Sequence, residues 1–169
     1  MKHEGINFFS PLYKKEDMRN DLKFGINDRE GDFAYSIVKG SDEEWNAYVD
    51  NSARNMVLFT PIDHNIVIYD DSNNQLSLCD GMLSVSDKWL AFIELKIDRK
   101  DWITKGVAQL RYTIDLFVRN HGFLQYKKRL AYLVNKKHPF FHASHKQKMN
   151  EFHSQTHFRL LIQRLIEVK

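Results

Sequence analysis

Apolar and polar positions alternate in a readable order along most of this chain. The first thirty residues are polar and punctuated and predict loops, with one helical turn around 14–22. "DFAYSIV" (32–38) predicts a short strand. In "SDEEWNAYV", Ser41 and Glu44 have capping-box spacing, and Trp45, Tyr48 and Val49 share a helical face, so a helix is predicted at about 42–52. "NMVLFTPIDHNIVIYDD" is rich in β-branched and aromatic residues but is split by Pro61, which confines the predicted strand to about 65–69. After the turn signal "DDSNN", "LSLCDGMLSV" (76–85) and "WLAFIELKI" (89–97) read as strands about the turn Ser86-Asp87-Lys88. Together these three strands predict an antiparallel meander.

Helical periodicity then takes over. Val107, Leu110, Ile114, Phe117 and Val118 lie on one face of a segment that Gly122 ends, predicting an amphipathic helix. "RLAYLVN" (129–135) predicts a fourth strand. "SHKQKMNEFHSQTHFRLLIQRLIEV" predicts a long C-terminal helix capped by Ser144, docking through Phe158, Leu161, Ile162 and Leu165. The order helix, three strands, helix, strand, helix predicts one α/β domain with a mixed sheet flanked by helices.

Composition narrows the class. At 169 residues, with 43% apolar and 13% aromatic content, the chain can build one full core and is not disordered. Its N-terminus lacks the apolar run and small-residue cleavage site of a signal peptide, and no stretch approaches the roughly 18 apolar residues of a bilayer span. A single cysteine, Cys79, suits a reducing compartment. A cytoplasmic protein is expected. The net charge of +3 hides an asymmetry: residues 121–169 hold ten Lys or Arg against two Glu, a net +8, which leaves −5 on the rest. A basic segment beside an acidic body suggests an anionic partner, with nucleic acid first, or a solvated helical face.

Three charges interrupt the apolar strands: Asp80, Glu94 and Lys96. Burying a charge costs several kcal/mol or more unless it is paired, on the order of the penalties known for buried ions. Period-two alternation puts Glu94 and Lys96 on one face, and Asp80 lies on the neighbouring strand. Two carboxylates this close repel unless a proton or cation intervenes, and Mg²⁺ accepts one or two carboxylates while keeping waters. A lysine beside such an ion can orient or deprotonate water and stabilise charge on a phosphate. The alternative is a set of edge-strand charges on a solvent face.

Asp80, then Glu94-Leu95-Lys96 at a strand end, then a helix bearing Gln109 in "VAQLRYTI", resembles the PD-(D/E)XK nuclease superfamily. The resemblance implies a restriction-endonuclease-like αβββαβ core over about 42–135, with an N-terminal extension 1–41 and a basic C-terminal segment 136–169. It implies Mg²⁺- or Mn²⁺-dependent hydrolysis of phosphodiester bonds, with DNA the first-choice substrate. Asp80 and Glu94 would be metal ligands, with the Leu95 carbonyl a third. Lys96 would be the catalytic lysine, and Gln109 would lie beside it. Arg111 and Tyr112 would contact a phosphate, and some members act as homodimers. Cys79 stands where the motif has proline, and the acidic residue that some members take from the first helix would be Glu43 or Glu44. On charge, Lys127, Lys128, Lys136, Lys137, Lys146 and Lys148 would supply salt-sensitive backbone binding. The competing expectation is a catalytically silent module that keeps the scaffold to bind nucleic acid or a protein.

Other patterns carry less. His153 and His157 have i, i+4 spacing, and His138, His142 and His145 lie nearby, but no HExxH or cysteine pair accompanies them, so no zinc site is expected. Cys79 is expected in the core on the face opposite Asp80. Trp89, Trp102 and Tyr112 fit either packing or base stacking. "GINDREG" lacks the spacing of a phosphate loop.

Overall fold

The computed structural model describes residues 5–138 and 145–169. Among them the chain forms, in order, β1 (Lys23–Asn27), β2 (Tyr35–Ile37), β3 (Ala47–Asp50), β4 (Leu58–Pro61), β5 (Gly81–Val85), β6 (Trp89–Lys96), α1 (Trp102–His121), β7 (Lys128–Asn135), α2 (Lys146–Thr156), β8 (Arg159–Ile162) and β9 (Leu165–Glu167). It is an α/β fold of two mixed sheets and two helices. The larger sheet has the order β4-β5-β6-β7-β8, antiparallel from β4 to β6 and parallel from β6 to β8.

β6 is the middle strand, which explains its nearly unbroken apolar run: both of its faces are covered. Trp89, Ala91, Ile93 and Leu95 enter the core shared with the smaller sheet, ordered β2-β1-β3-β9. Leu90 and Phe92 enter the core under the helices, with Leu110, Ile114 and Phe117 of α1 and Leu160 of β8. The result is three layers: helices, five-stranded sheet, four-stranded sheet. No described helix is long and apolar enough to cross a membrane.

α1 and α2 run side by side in the same direction. Lys148 Nζ donates to Thr104 Oγ1 (3.3 Å) and Arg111 to Gln155 Oε1 (3.1 Å), the same offset of 44 residues at both ends. α1 lies close on the sheet because position 106 is glycine. A Cβ there would stand 2.3 Å from Leu133 Cδ1 and 3.4 Å from Glu94 Cγ. Gly106→Val is therefore expected to cost about 1–3 kcal/mol in urea denaturation, the usual penalty for overpacking a filled core.

Four predicted elements differ. The helix at 42–52 is a single turn, in which Ser41 O accepts from the N–H of Glu44 and Trp45, followed by β3. Ala47 and Val49 are buried in alternation, and the Arg164 guanidinium donates to the carbonyls of Asp42, Trp45 and Asn46, so contacts from the far end of the chain override local helix signals. The αβββαβ order thus lacks its first helix. The long C-terminal helix stops at Thr156, where His157 takes a left-handed conformation (φ 62), and the rest becomes β8, parallel to β7, and β9, parallel to β3. The strand at 65–69 is not formed: Asn65 and Ile66 turn back to the carbonyl of Ile62, and Pro61 itself ends β4, an edge strand. Residues 14–22 form no helix, and Arg19 makes a bridge to Val57. The Ser144 cap and His142 lie outside the described residues. The predicted strands at 32–38, 89–97 and 129–135, the turn 86–88 and the helix ending at Gly122 are all present, and that at 76–85 forms only over Gly81–Val85, leaving Asp80 just before it.

Candidate active site

Register brings the two carboxylates together. Gly81 pairs with Ile93, so the next step of the ladder sets Asp80 opposite Glu94, where the chain bends into β5. Asp80 Oδ2 accepts the Leu95 N–H at 2.5 Å, and its carbonyl accepts the Ile62 N–H at 2.9 Å. The Leu95 carbonyl lies on the same edge of β6 as its N–H, facing Asp80.

Glu94 is on the helix face of the central strand and is 2% exposed, so the reading of solvent-facing edge charges is excluded. Its Oε1 lies 2.5 Å from Lys96 Nζ, and its Oε2 is buried with no hydrogen-bond partner. Lys96 Nζ also donates to Gln109 Oε1 at 2.6 Å. Gln109 in turn donates from Nε2 to Ser77 Oγ (2.9 Å) and the Leu78 carbonyl (3.2 Å), which fixes its amide orientation. Thr113, one turn on, donates to the Gln109 carbonyl and accepts the Cys79 N–H at 2.9 Å. α1 is thereby tied to the segment that carries Asp80.

Burial pushes the Asp80 carboxyl up to about 7, with the Leu95 N–H opposing and Asp28 adding to the rise. Burial, then the neighbouring Asp80, holds Glu94 well above the usual carboxylate range, with Lys96 opposing. Two acids that resist ionisation around one lysine, one of them with an orphan carboxylate oxygen, lack a positive charge. That is the environment a hard cation would relieve. The donors are carboxylate and carbonyl oxygens, the set suited to Mg²⁺ or Mn²⁺ rather than zinc. Among the described residues, no three or more His, Cys, Asp or Glu side chains form a ready cage, so an ion here would rely on these oxygens and water.

Comparison of the chain with models of known families, with curated proteins and with solved structures finds no match. Function must therefore be argued from the site.

Several predicted residues lie elsewhere. Arg111 and Tyr112 point away from Asp80 into a groove between α1 and α2, with Gln155 and His157. Lys128 pairs with Trp89 and Asn135 with Lys96, so Lys127 and Lys128 lie seven strand residues, ~23 Å, from the Lys96 end. Lys136 and Lys137 follow the end of β7 beside Lys96. Lys146 and Lys148 are on the first turn of α2, which lies against the first turn of α1. Those four share the carboxylate end of the sheet, where the parallel strands finish and both helices begin, the usual ligand-binding end of such sheets.

Glu43 and Glu44 are exposed in the turn before β3. The further acids that act on Asp80 are Asp28 and Asp63, and Asp63 also acts on Glu94. Asp63 lies two residues past β4, whereas the sequence places the strand at 65–69, so its position beside Asp80 could not be read. Cys79 is fully buried in the core under α1, on the helix side rather than the face opposite Asp80, because the strand begins only at Gly81. Burial raises its thiol well above the ordinary value, so it is inert. Trp89 and Trp102 are buried and serve packing.

Proposed function

We propose that this protein is a metal-dependent phosphodiesterase acting on nucleic acid, with Asp80, Glu94, Lys96 and Gln109 as its working residues. The observation that carries this reading is Glu94 Oε2: a buried, unpartnered carboxylate oxygen on a residue set opposite Asp80 by strand register, whose other oxygen meets Lys96. Bound Mg²⁺ or Mn²⁺ would supply Lewis acidity toward a phosphate and lower the pKa of a ligated water. Asp80 and Glu94, with the Leu95 carbonyl, would hold the ion. The Leu95 N–H orients the Asp80 carboxylate.

Lys96 stands at hydrogen-bond distance from Glu94 and Gln109, so its ammonium is aimed and not free to swing into solvent. From there it can position an attacking water or meet charge developing on the phosphate. Gln109 acts through Lys96 and is a positioning residue. Its replacement by alanine should lower turnover about tenfold with little change in KM, a split that initial-rate kinetics would reveal, given that misplaced groups cost on the order of 10- to 100-fold.

The reading is tested by incubating the protein with linear, circular, single-stranded and branched DNA, and with RNA, in Mg²⁺, Mn²⁺ or EDTA. Metal-dependent scission of at least one substrate is expected. Tight binding without scission in any metal would instead favour a silent binding module.

A further inference from the structure

A row of grooves runs from the basic end of the sheet toward the end where α1 and α2 begin. At the far end, a groove of about 400 Å³ is lined by Lys127, Lys128, Arg129 and Arg159, with His153 and His157 on its helix side. His157 also lines a second groove of about 400 Å³ between the helices, with Arg111, Tyr112 and Phe123. Arg111 and Gln155 then pass into a third of about 240 Å³, which reaches Thr104 and Lys148, two residues from the glycine that abuts Glu94. Neighbouring grooves share lining residues, His157 between the first two and Ala108, Arg111 and Gln155 between the last two, so they line up as one path along the surface. Its helical part, from Val118 to Thr104, is ~21 Å long at 1.5 Å per residue.

We infer that this path holds a single nucleic acid strand running toward the end of the sheet that carries Asp80 and Glu94. The inference deepens the phosphodiesterase reading and rests on it only for the destination of the strand. Charge selects the class of ligand. Two of the three acids along the path are paired with cations, Asp115 with Arg119 (2.6 Å) and Glu167 with Lys169, while Glu151 accepts from the neutral Gln147 amide (2.8 Å) and keeps its charge beside Lys148 and Arg111. Arg111, Arg159, Lys127 and Lys128 are exposed along it.

Shape selects one strand over two. The grooves hold about 240–400 Å³ each, the scale of small-molecule sites, which suits single unpaired bases or a length of backbone and not a duplex. At the junction of the first two grooves, His157 stacks on Phe123 (5.3 Å between centroids, 17° between planes), with the Arg129 guanidinium 4.9 Å from the same ring. Aromatic and guanidinium planes of this kind receive unpaired bases, which a duplex keeps stacked internally.

The test is fluorescence anisotropy with fluorescein-labelled oligothymidylates in EDTA, where no cleavage occurs. Affinity is expected to rise with length and level off at about 6–10 nucleotides, within the range of known single-strand sites. Its logarithmic salt slope should be about −2 to −3, as for three or four neutralised phosphates. Arg111→Glu and Arg159→Glu should each weaken binding at least tenfold, while Lys39→Glu, the same charge change on the other sheet, stays within twofold. Circular dichroism melting checks that each variant folds, and Arg159→Gln provides a milder version. The inference is overturned if both groove variants bind like Lys39→Glu, if a duplex of equal length binds as tightly, or if poly-glutamate displaces the oligonucleotide as well as unlabelled oligothymidylate does. Loss of the phosphodiesterase reading would show separately, as normal binding without scission in Mn²⁺.

Discussion

Lys96→Ala should lower phosphodiester scission by about 10³-fold or more, within the range for removing a positioned acid–base or charge-stabilising group. Three features make the expected effect large. The ammonium is held between Glu94 Oε1 and Gln109 Oε1, so no other side chain can take its place without breaking the link to α1. Its charge acts on both Asp80 and Glu94. Its removal also leaves Glu94 buried with both oxygens without a partner, so the carboxylate loses the contact that aims it. Lys96→Arg keeps the charge but offers a planar fork in place of a compact ammonium, and should recover little activity. Single-turnover rates at saturating Mn²⁺, with melting curves to confirm folding, measure the loss. Scission by Lys96→Ala at the wild-type rate would remove the lysine from the mechanism.

The second large effect concerns stability. Asp80 titrates near 7 in the fold against a value of 3.8 for the free side chain. Between those values the folded protein binds more protons than the unfolded chain, so stability falls as pH rises from about 4 to 7 and stays low above it. In EDTA, the wild type should thus melt several degrees lower at pH 8 than at pH 5. Asp80→Asn should weaken that dependence, leaving the part that buried Glu94 contributes, and melt about 5 °C above the wild type at pH 8, since ~1–3 kcal/mol shifts a chain of this size by a few degrees per kcal/mol. Adding Mg²⁺ at pH 8 should raise the wild type and leave the variant unchanged. Such a gain in stability with loss of metal response is the behaviour of a site held against its own folding preference. A wild type that is steadily more stable toward pH 8 in EDTA would contradict the assigned environment of Asp80.

Much of this site is legible in the sequence because its parts are local. The hairpin about residues 86–88 sets the Gly81–Ile93 register, and register alone sets Asp80 against Glu94. The strong 3.6-residue pattern of α1 then carries Gln109 over the strand end, as expected. What could not be read depends on contacts distant in sequence. Trp45, Tyr48 and Val49 satisfy both a helical and a strand pattern, and Arg164 decides between them from 119 residues away. Phe158, Leu161 and Ile162 are similarly ambiguous, and no glycine or proline marks the stop at His157. The direction of Arg111 and Tyr112 follows from α2 packing along α1, which no spacing within α1 reveals. The approach of Asp28 and Asp63 to Asp80 is likewise tertiary.

The claim on which all of this turns is that Asp80 and Glu94 together hold a divalent cation. Calorimetric titration of Mn²⁺ into the metal-free protein at pH 8, beside Glu94→Gln, tests it most directly. The account predicts saturable uptake by the wild type with release of protons from the carboxyl pair, and loss of that uptake in Glu94→Gln. No saturable heat with the wild type, or equal binding by the variant, would contradict it.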